Sequence, residues 1–372
     1  MKKEPVLTLS TSVNIENVLV FQGGGSLGAY ECGVYKTLER HGIKFNVIAG
    51  TSIGAVNAAI IVGAKNDNPA QHLEDFWLTV AENVTSSFIP DSIRPSLSVL
   101  YAAMYGNRNV FEPNWLFPFE ALYYYLTSPY LYDVLPLRNT LNRYIDITKI
   151  NDSGDKSSGP RLIITATDIQ TSESVTFDSR NMNIELEHII SCVGYPFYGI
   201  SWIQKDGRFL WDGSLQSNTP LREVIDASPK NNKDVYIVNL FPRKHHELPS
   251  NMFETWHRAR DIIHTDKTSH NVRMSAVISR YIRLLENMYE IIMISSDENA
   301  KSRFRESLTS EYHKLVQRRG AIIRNIVRIE RSEDTHYLFE DADFSLCSIK
   351  HLIKTGEQDA EEALKKSPLF SK

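Results

Sequence analysis

The chain has 372 residues, of which 42% are hydrophobic and 23% charged, with a formal net charge of −4. That is the make-up of an ordinary soluble globular protein with a sizeable core, as one large domain or a domain with an appendage. No internal repeat or low-complexity tract interrupts it, and Cys32, Cys192 and Cys347 lie far apart with no metal-type spacing, which suggests reduced thiols and an intracellular home.

Met1–Asn17 carries Lys2 and Lys3 but no continuous apolar core, so it does not read as a signal peptide. Val18–Phe21 is a short β-branched and aromatic run, the pattern of a buried strand. Gly23, Gly24 and Gly25 follow, then Tyr30, Val34 and Leu38 at helical spacing, ending near Gly42. Val47–Ala49 is a second strand, running into Gly50-Thr51-Ser52-Ile53-Gly54 and the small apolar helix Ala55–Val62. Phe45–Ala64 has about the length of a membrane span, but its polar residues and glycines fit a strand, a turn and a core helix.

A helix is expected around His72–Val84, then an irregular stretch over 85–110. Phe111–Tyr132 is dense in aromatics and reads as an insertion packed beside the core, or as a hydrophobic wall for an acyl chain. Leu137–Tyr144 is a short helix, Asn151–Gly159 a surface loop, and Arg161–Thr167 a buried strand with a hairpin partner from Ser174. Ile184–Cys192 reads as an amphipathic helix, Phe209–Trp211 as a strand leading to Asp212-Gly213-Ser214, and Val235–Leu240 as another buried strand. This alternation predicts an α/β fold with a mainly parallel central sheet and helices on both faces.

From Thr255 the pattern becomes helical. Met274, Val277, Ile278, Tyr281, Leu284, Leu285, Met288 and Ile292 form one stripe, expected to pack on the sheet. A second helix carries Phe304, Leu308, Tyr312 and Leu315, Ile322–Ile329 reads as a strand, and Phe344–Leu364 as a closing helix. Thr255–Arg331 holds 15 Lys+Arg against 9 Asp+Glu, a net +6 that leaves −10 for the remainder. Without aromatic stacking patterns or a nucleic-acid-binding motif, that charge points to a solvated face or an anionic membrane surface, not to nucleic acid.

Two chemistries fit the first glycine loop. Gly23-x-Gly25-x-x-Gly28 matches a dinucleotide fingerprint, yet no acid stands at the end of the next strand to hold a ribose. That strand ends instead in Gly-x-Ser-x-Gly, a tight strand-to-helix turn that lifts the Ser52 hydroxyl clear. A serine nucleophile needs a base and donors for an oxyanion. The Gly24, Gly25 and Ser26 amides are candidate donors, and Asp212, at a strand end before Gly213, is the candidate base. His245, His246, His257 and His264 follow Asp212, so residue order also permits a triad, although their Arg- and Lys-rich surroundings suggest exposed positions. No metal-type spacing accompanies these motifs.

GGGSLG, GTSIG and the later DGS, with RLIITATDIQTSE between, resemble the patatin-like phospholipase family over roughly residues 17–242. The resemblance implies a Ser–Asp dyad of Ser52 and Asp212, an oxyanion hole in the loop of Gly23, Gly24, Gly25, Ser26 and Gly28, and hydrolysis of lipid acyl esters without a cofactor. Residues 243–372 are then a mostly helical C-terminal region packing on the core, with 322–329 a candidate added strand. Two departures stand out: Leu27 replaces the family's usual Arg or Lys, and Ser214 its usual Gly or Ala. DFSLCSIKHLIKTGEQDAEEAL resembles an uncharacterised domain that follows patatin-like domains in some bacterial proteins, implying a cytoplasmic enzyme. An acyltransferase or thioesterase with the same dyad, or a scaffold that keeps the fold, remain the alternatives.

Overall fold

The computed structural model describes residues 15–81, 89–90, 93–153, 159–228, 231–241, 248–294, 302, 323–332 and 339–367. β1 (Ile15–Phe21) leads through the glycine loop into α1 (Gly28–Arg40), and β2 (Val47–Thr51) runs straight into α2 (Ile53–Val62). α3 (Pro69–Ala81) turns Leu73, Phe76 and Trp77 into the core. An insertion follows: α4 (Arg94–Tyr105), a two-residue hairpin pair β3 (Glu112–Pro113) and β4 (Tyr132–Asp133), and α5 (Ala121–Thr127) between them.

α6 (Leu135–Tyr144) and α7 (Ile147–Ser153) return the chain to β5 (Arg161–Asp168), all of whose residues are buried. β6 (Ser174–Asp178), α8 (Leu186–Ile190), β7 (Ile203–Lys205), β8 (Arg208–Asp212), α9 (Leu221–Ala227) and β9 (Asn232–Asn239) complete the first two-thirds. α10 (Met252–Ile294), β10 (Ile323–Glu330) and α11 (Leu346–Lys366) follow.

One eight-stranded sheet carries the order β10-β9-β1-β2-β5-β8-β7, with β6 also on β5. The five strands from β10 to β5 are parallel, β6 and β8 each run antiparallel to β5, and β7 runs antiparallel to β8. Alternate side chains of each central strand enter opposite cores. Leu19, Phe21 and Ile48 join α1, α2, α3 and α11 on one face, while Val18, Val20 and Val47 meet α9 on the other. Arg161 and Asp178 are paired in the interior, and Lys233 is buried with its ammonium 2.7 Å from Glu16, so these buried charges have partners.

α11 is seated on α1 through two glycines. A Cβ on Gly33 would stand 1.9 Å from the Ile353 carbonyl oxygen, and one on Gly356 would stand 2.1 Å from that of Tyr30. Only hydrogen at both positions lets the two backbones approach so closely.

Several expectations are corrected. The stretch read as irregular contains α4, because Pro95 lies in its first turn, where proline's missing N–H is harmless. α7 extends into the stretch read as a loop, and α8 is shorter than Ile184–Cys192. The stripe on α10 is not packed on the sheet: Val277, Ile278, Tyr281 and Leu284 are exposed, while Ile282 is buried. Helical periodicity reports an apolar face but not what covers it. The expected helix around Phe304–Leu315, with His245 and His246, lies outside the described residues. Among the described residues no helix is long and apolar enough to cross a membrane.

Candidate active site

Ser52 sits between β2 and α2 with φ 55 and ψ −127, a backbone state that a non-glycine residue holds only under constraint. The constraint comes from its neighbours. A Cβ on Gly50 would lie 2.1 Å from the Gly54 carbonyl oxygen, and one on Gly54 would lie 2.9 Å from that of Gln22. The turn therefore closes only with glycine at both ends. Thr51 ties it down, its hydroxyl donating to the Ser217 carbonyl at 2.7 Å and standing 2.7 Å from the Thr165 hydroxyl.

Sheet register brings Asp212 to this serine. Thr51 pairs with Thr165 across β2 and β5, and the next residue of β5, Ala166, pairs with Asp212 of β8. Ser52 Oγ donates to Asp212 Oδ2 at 2.5 Å, and the Ser214 amide donates to Oδ1 at 2.8 Å. Asp212 is 1% exposed. Burial pushes its carboxyl from 3.8 up to about 6, against the lowering effect of the Ser52 and Ser214 hydrogen bonds. Gly213 leaves no room for a side chain, since a Cβ would stand 2.4 Å from the Thr165 carbonyl oxygen. Ser214 lines the cavity in front of the pair.

The glycine loop closes the opposite side. Gly23, Gly24 and Gly25 line the same cavity as Ser52. The Gly23 amide donates to the Asn218 carbonyl at 3.2 Å, and the Asn218 side-chain amide donates back to the Gly23 carbonyl at 3.2 Å. Gly25 has φ +57, and a Cβ there would meet the Asp341 carbonyl oxygen at 2.2 Å. Ser26 is buried and its hydroxyl donates to the Glu340 carbonyl at 2.9 Å. Gly28 packs on Ile53 and Trp77 and stands behind the cavity. Leu27 is 2% exposed in the main core, so this departure from the family pattern puts no side chain at the cavity wall.

A buried network sets the loop's exit. Asn57 donates to the Gly28 carbonyl at 2.9 Å and to Glu31 Oε2 at 2.8 Å, and accepts from Trp77 Nε1 at 3.1 Å. Burial holds the Glu31 carboxyl well above its ordinary range.

The cavity, about 310 Å³, is walled mainly by apolar side chains. The insertion supplies Val99, Ala102, Phe111 and Tyr132, so the aromatic segment divides: its two ends face the cavity, and its middle faces outward. Phe339, Asp341 and Phe344 complete the wall from the far end of the chain.

The histidines correct another expectation. His257 and His264 are buried, not exposed. His257 Nε2 lies 2.8 Å from Arg260, and His264 stacks on Phe241 at the cavity wall. Both are on α10, and the His264 ring is covered from outside that helix, by Phe241 and Tyr195, despite the basic sequence around it.

Sequence reasoning missed Asn218, Arg260 and Asp341, which all line the cavity. Arg260 is 2.6 Å from Asp341 and 3.0 Å from Asp261, and it donates to the Tyr198 hydroxyl at 2.9 Å. No local motif marks these residues, because their partners are up to 195 residues away in the chain.

The family model for patatin-like phospholipases matches residues 19–225. Among curated relatives, lysophospholipase nte1 of Aspergillus terreus is 52% identical over 42 residues, 11% of this chain and 3% of that protein. Triacylglycerol lipase SDP1L of Arabidopsis thaliana is 46% identical over 43 residues, 12% of this chain and 5% of that protein. The chain thus matches only a small part of either relative's length. Among solved structures, VipD from Legionella pneumophila is similar at TM-score 0.40 and 11% identity, covering 95% of this chain and 67% of that one. The effector ExoU of Pseudomonas aeruginosa is similar at TM-score 0.32 and 13% identity, covering 94% and 53%.

Proposed function

The chain belongs to the patatin-like phospholipase family, and from that premise we propose that it is a serine acyl hydrolase cleaving carboxylic esters of lipids through an acyl-enzyme. Ser52 is the nucleophile and Asp212 the proton acceptor. The reading rests on one observation above the others, the 2.5 Å hydrogen bond from Ser52 Oγ to a buried carboxylate.

Ser52 Oγ attacks the ester carbonyl while its proton passes to Asp212, and the carbonyl electron pair moves onto oxygen. A carboxyl raised to about 6 is a better base than one left at 3.8. The Gly23 amide is already bonded to Asn218, so the oxyanion is assigned to the Gly24 and Gly25 amides. Ser26 and Gly28 hold the shape of that loop. Collapse breaks the ester C–O bond, and the departing alkoxide takes the proton from Asp212. Water, deprotonated by Asp212 in its turn, attacks the acyl-enzyme, and the returned proton restores Ser52 as the acid leaves. The apolar cavity receives the acyl chain.

Residues 17–242 are assigned this machinery, and 243–372 the role of completing the cavity. Arg273, Arg280 and Arg283 lie exposed beside the apolar stripe of α10, which supports a salt-sensitive contact with an anionic membrane surface. Three unpaired cysteines, two of them buried, support a cytoplasmic location.

A fluorophosphonate probe tests the assignment. Wild type should be labelled and should hydrolyse lipid and soluble esters, and Ser52→Ala should lose both while keeping its melting behaviour. Labelling that persists in Ser52→Ala would remove Ser52 from the chemistry. An inert wild type would leave a scaffold of the same fold.

A further inference from the structure

The insertion between α3 and β5 presents an apolar face left uncovered among the described residues. Leu116, Phe119, Leu122, Tyr123, Tyr125 and Leu126 are 66% to 89% exposed. Isolated exposed apolar residues are common, but a run of this kind on one short segment marks a binding surface. From Pro113 to Tyr132 the chain carries a single charged side chain, Glu120. Its carboxylate is turned back onto the backbone, accepting from the Leu116 and Phe117 amides at 3.1 and 3.3 Å.

The segment is anchored. Trp115 Nε1 donates to the Met104 carbonyl at 3.0 Å, and the Tyr132 hydroxyl donates to the Ala103 carbonyl at 2.6 Å, fastening both ends to α4. Beneath it runs an apolar groove lined by Trp115, Pro118, Leu122 and Tyr125. Ala103 and Tyr132 line this groove and the Ser52 cavity alike, so the groove under the exposed face and the cavity share a wall.

We propose that the outward face of Leu116–Leu126 is an interfacial docking surface that seats the protein on uncharged lipid aggregates, at the boundary between headgroups and acyl chains. The inference deepens the proposed lipid ester hydrolysis and rests on it. Tyrosine and phenylalanine are the side chains that settle at that boundary, ring in the apolar layer and hydroxyl in the polar one. The absence of outward charge selects neutral lipid over an anionic surface, and separates this face from the arginines of α10. The shared wall with the cavity selects lipid over a protein partner. A protein seated here would cover the groove beside the substrate cavity, whereas a lipid surface brings the ester to it.

The test compares full-length wild type with Phe117→Ser/Phe119→Ser, and with Tyr281→Ser/Leu284→Ser on α10, using phosphatidylcholine vesicles at high salt. Wild type and the α10 variant should co-sediment with the vesicles. The Phe117→Ser/Phe119→Ser variant should partition at least about tenfold less. Its turnover of vesicle lipid should fall alike, while its turnover of a soluble short-chain ester stays within about twofold of wild type. Phe119→Trp provides a variant that keeps the surface. Its added fluorescence should shift to the blue with vesicles and be quenched by lipids brominated along the acyl chain. Unchanged partition of Phe117→Ser/Phe119→Ser, loss of binding only in the α10 variant, or added Phe119→Trp fluorescence that the brominated lipids leave unquenched would overturn the proposal. So would a wild type that ignores neutral vesicles, which would point to a protein partner. Vesicle binding without any ester turnover would instead refute the hydrolase reading and leave the surface standing.

Discussion

Asp212→Asn separates the chemical role of this carboxylate from its effect on stability. Moving a carboxyl from 3.8 to about 6 on folding means that its ionised form is disfavoured in the folded state by about 3 kcal/mol. The folded pKa is the higher one, so wild type has its full stability below pH 3.8 and loses this increment as pH rises through about 6. Asparagine resembles the protonated carboxyl: its Oδ1 can still accept from the Ser214 amide, and it never ionises. The variant should match wild type near pH 4 and exceed it by up to about 3 kcal/mol near pH 8, while its kcat falls by several orders of magnitude. Urea unfolding of both proteins at the two pH values, monitored by intrinsic fluorescence, measures the difference. All other titrating groups are shared and cancel. A stability difference independent of pH, or a variant weaker than wild type at pH 8, would refute the claim that Asp212 is buried as a charge. The same carboxyl should appear as a rising limb near pH 6 in the wild-type kcat/KM profile.

Three further outcomes are expected. Gly33→Ala places a methyl 1.9 Å from the Ile353 carbonyl oxygen, a backbone atom that cannot step aside; thermal melts should show a loss of roughly 1–3 kcal/mol or more as α11 is pushed off α1. The Arg331 guanidinium and the Glu340 carboxylate are buried together with nitrogen and oxygen 2.7 Å apart, and the backbone carbonyl of Glu340 accepts from Ser26 on the glycine loop. Arg331→Ala should therefore cost about 3–5 kcal/mol in denaturant titrations, and its remaining folded fraction should show a lowered kcat. His264→Gln should leave kcat/KM on a soluble ester within about tenfold of wild type, under ~1.4 kcal/mol, because Ser52 already has Asp212 as its partner; inactivity comparable with Asp212→Asn would move the chemistry to a triad.

The local devices of this protein were legible in its sequence. Val18–Phe21 and Arg161–Thr167 are apolar runs too short for helices, and they form buried strands. The Gly-x-Ser-x-Gly turn marked Ser52 because two glycines and a serine between a strand and a small-residue helix have few other uses. Asp212 could be singled out by its place at a strand end, but the pairing that sets it against Ser52 could not. That pairing depends on β8 running antiparallel to β5 while β2 runs parallel to it, so that positions 51, 165, 166 and 212 fall into adjacent registers.

Composition and periodicity determined the α/β class, the glycine loop and the candidate serine, because those follow from backbone sterics within a few residues. Tertiary structure alone decided which apolar faces are covered. The aromatics of 111–132 divide between cavity and surface, the stripe of α10 lies exposed, and His257 and His264 are buried. A side chain's burial is settled by elements distant in the chain, and local spacing carries no record of them. The same holds for Glu340 and Asp341, which reach the glycine loop across more than three hundred residues.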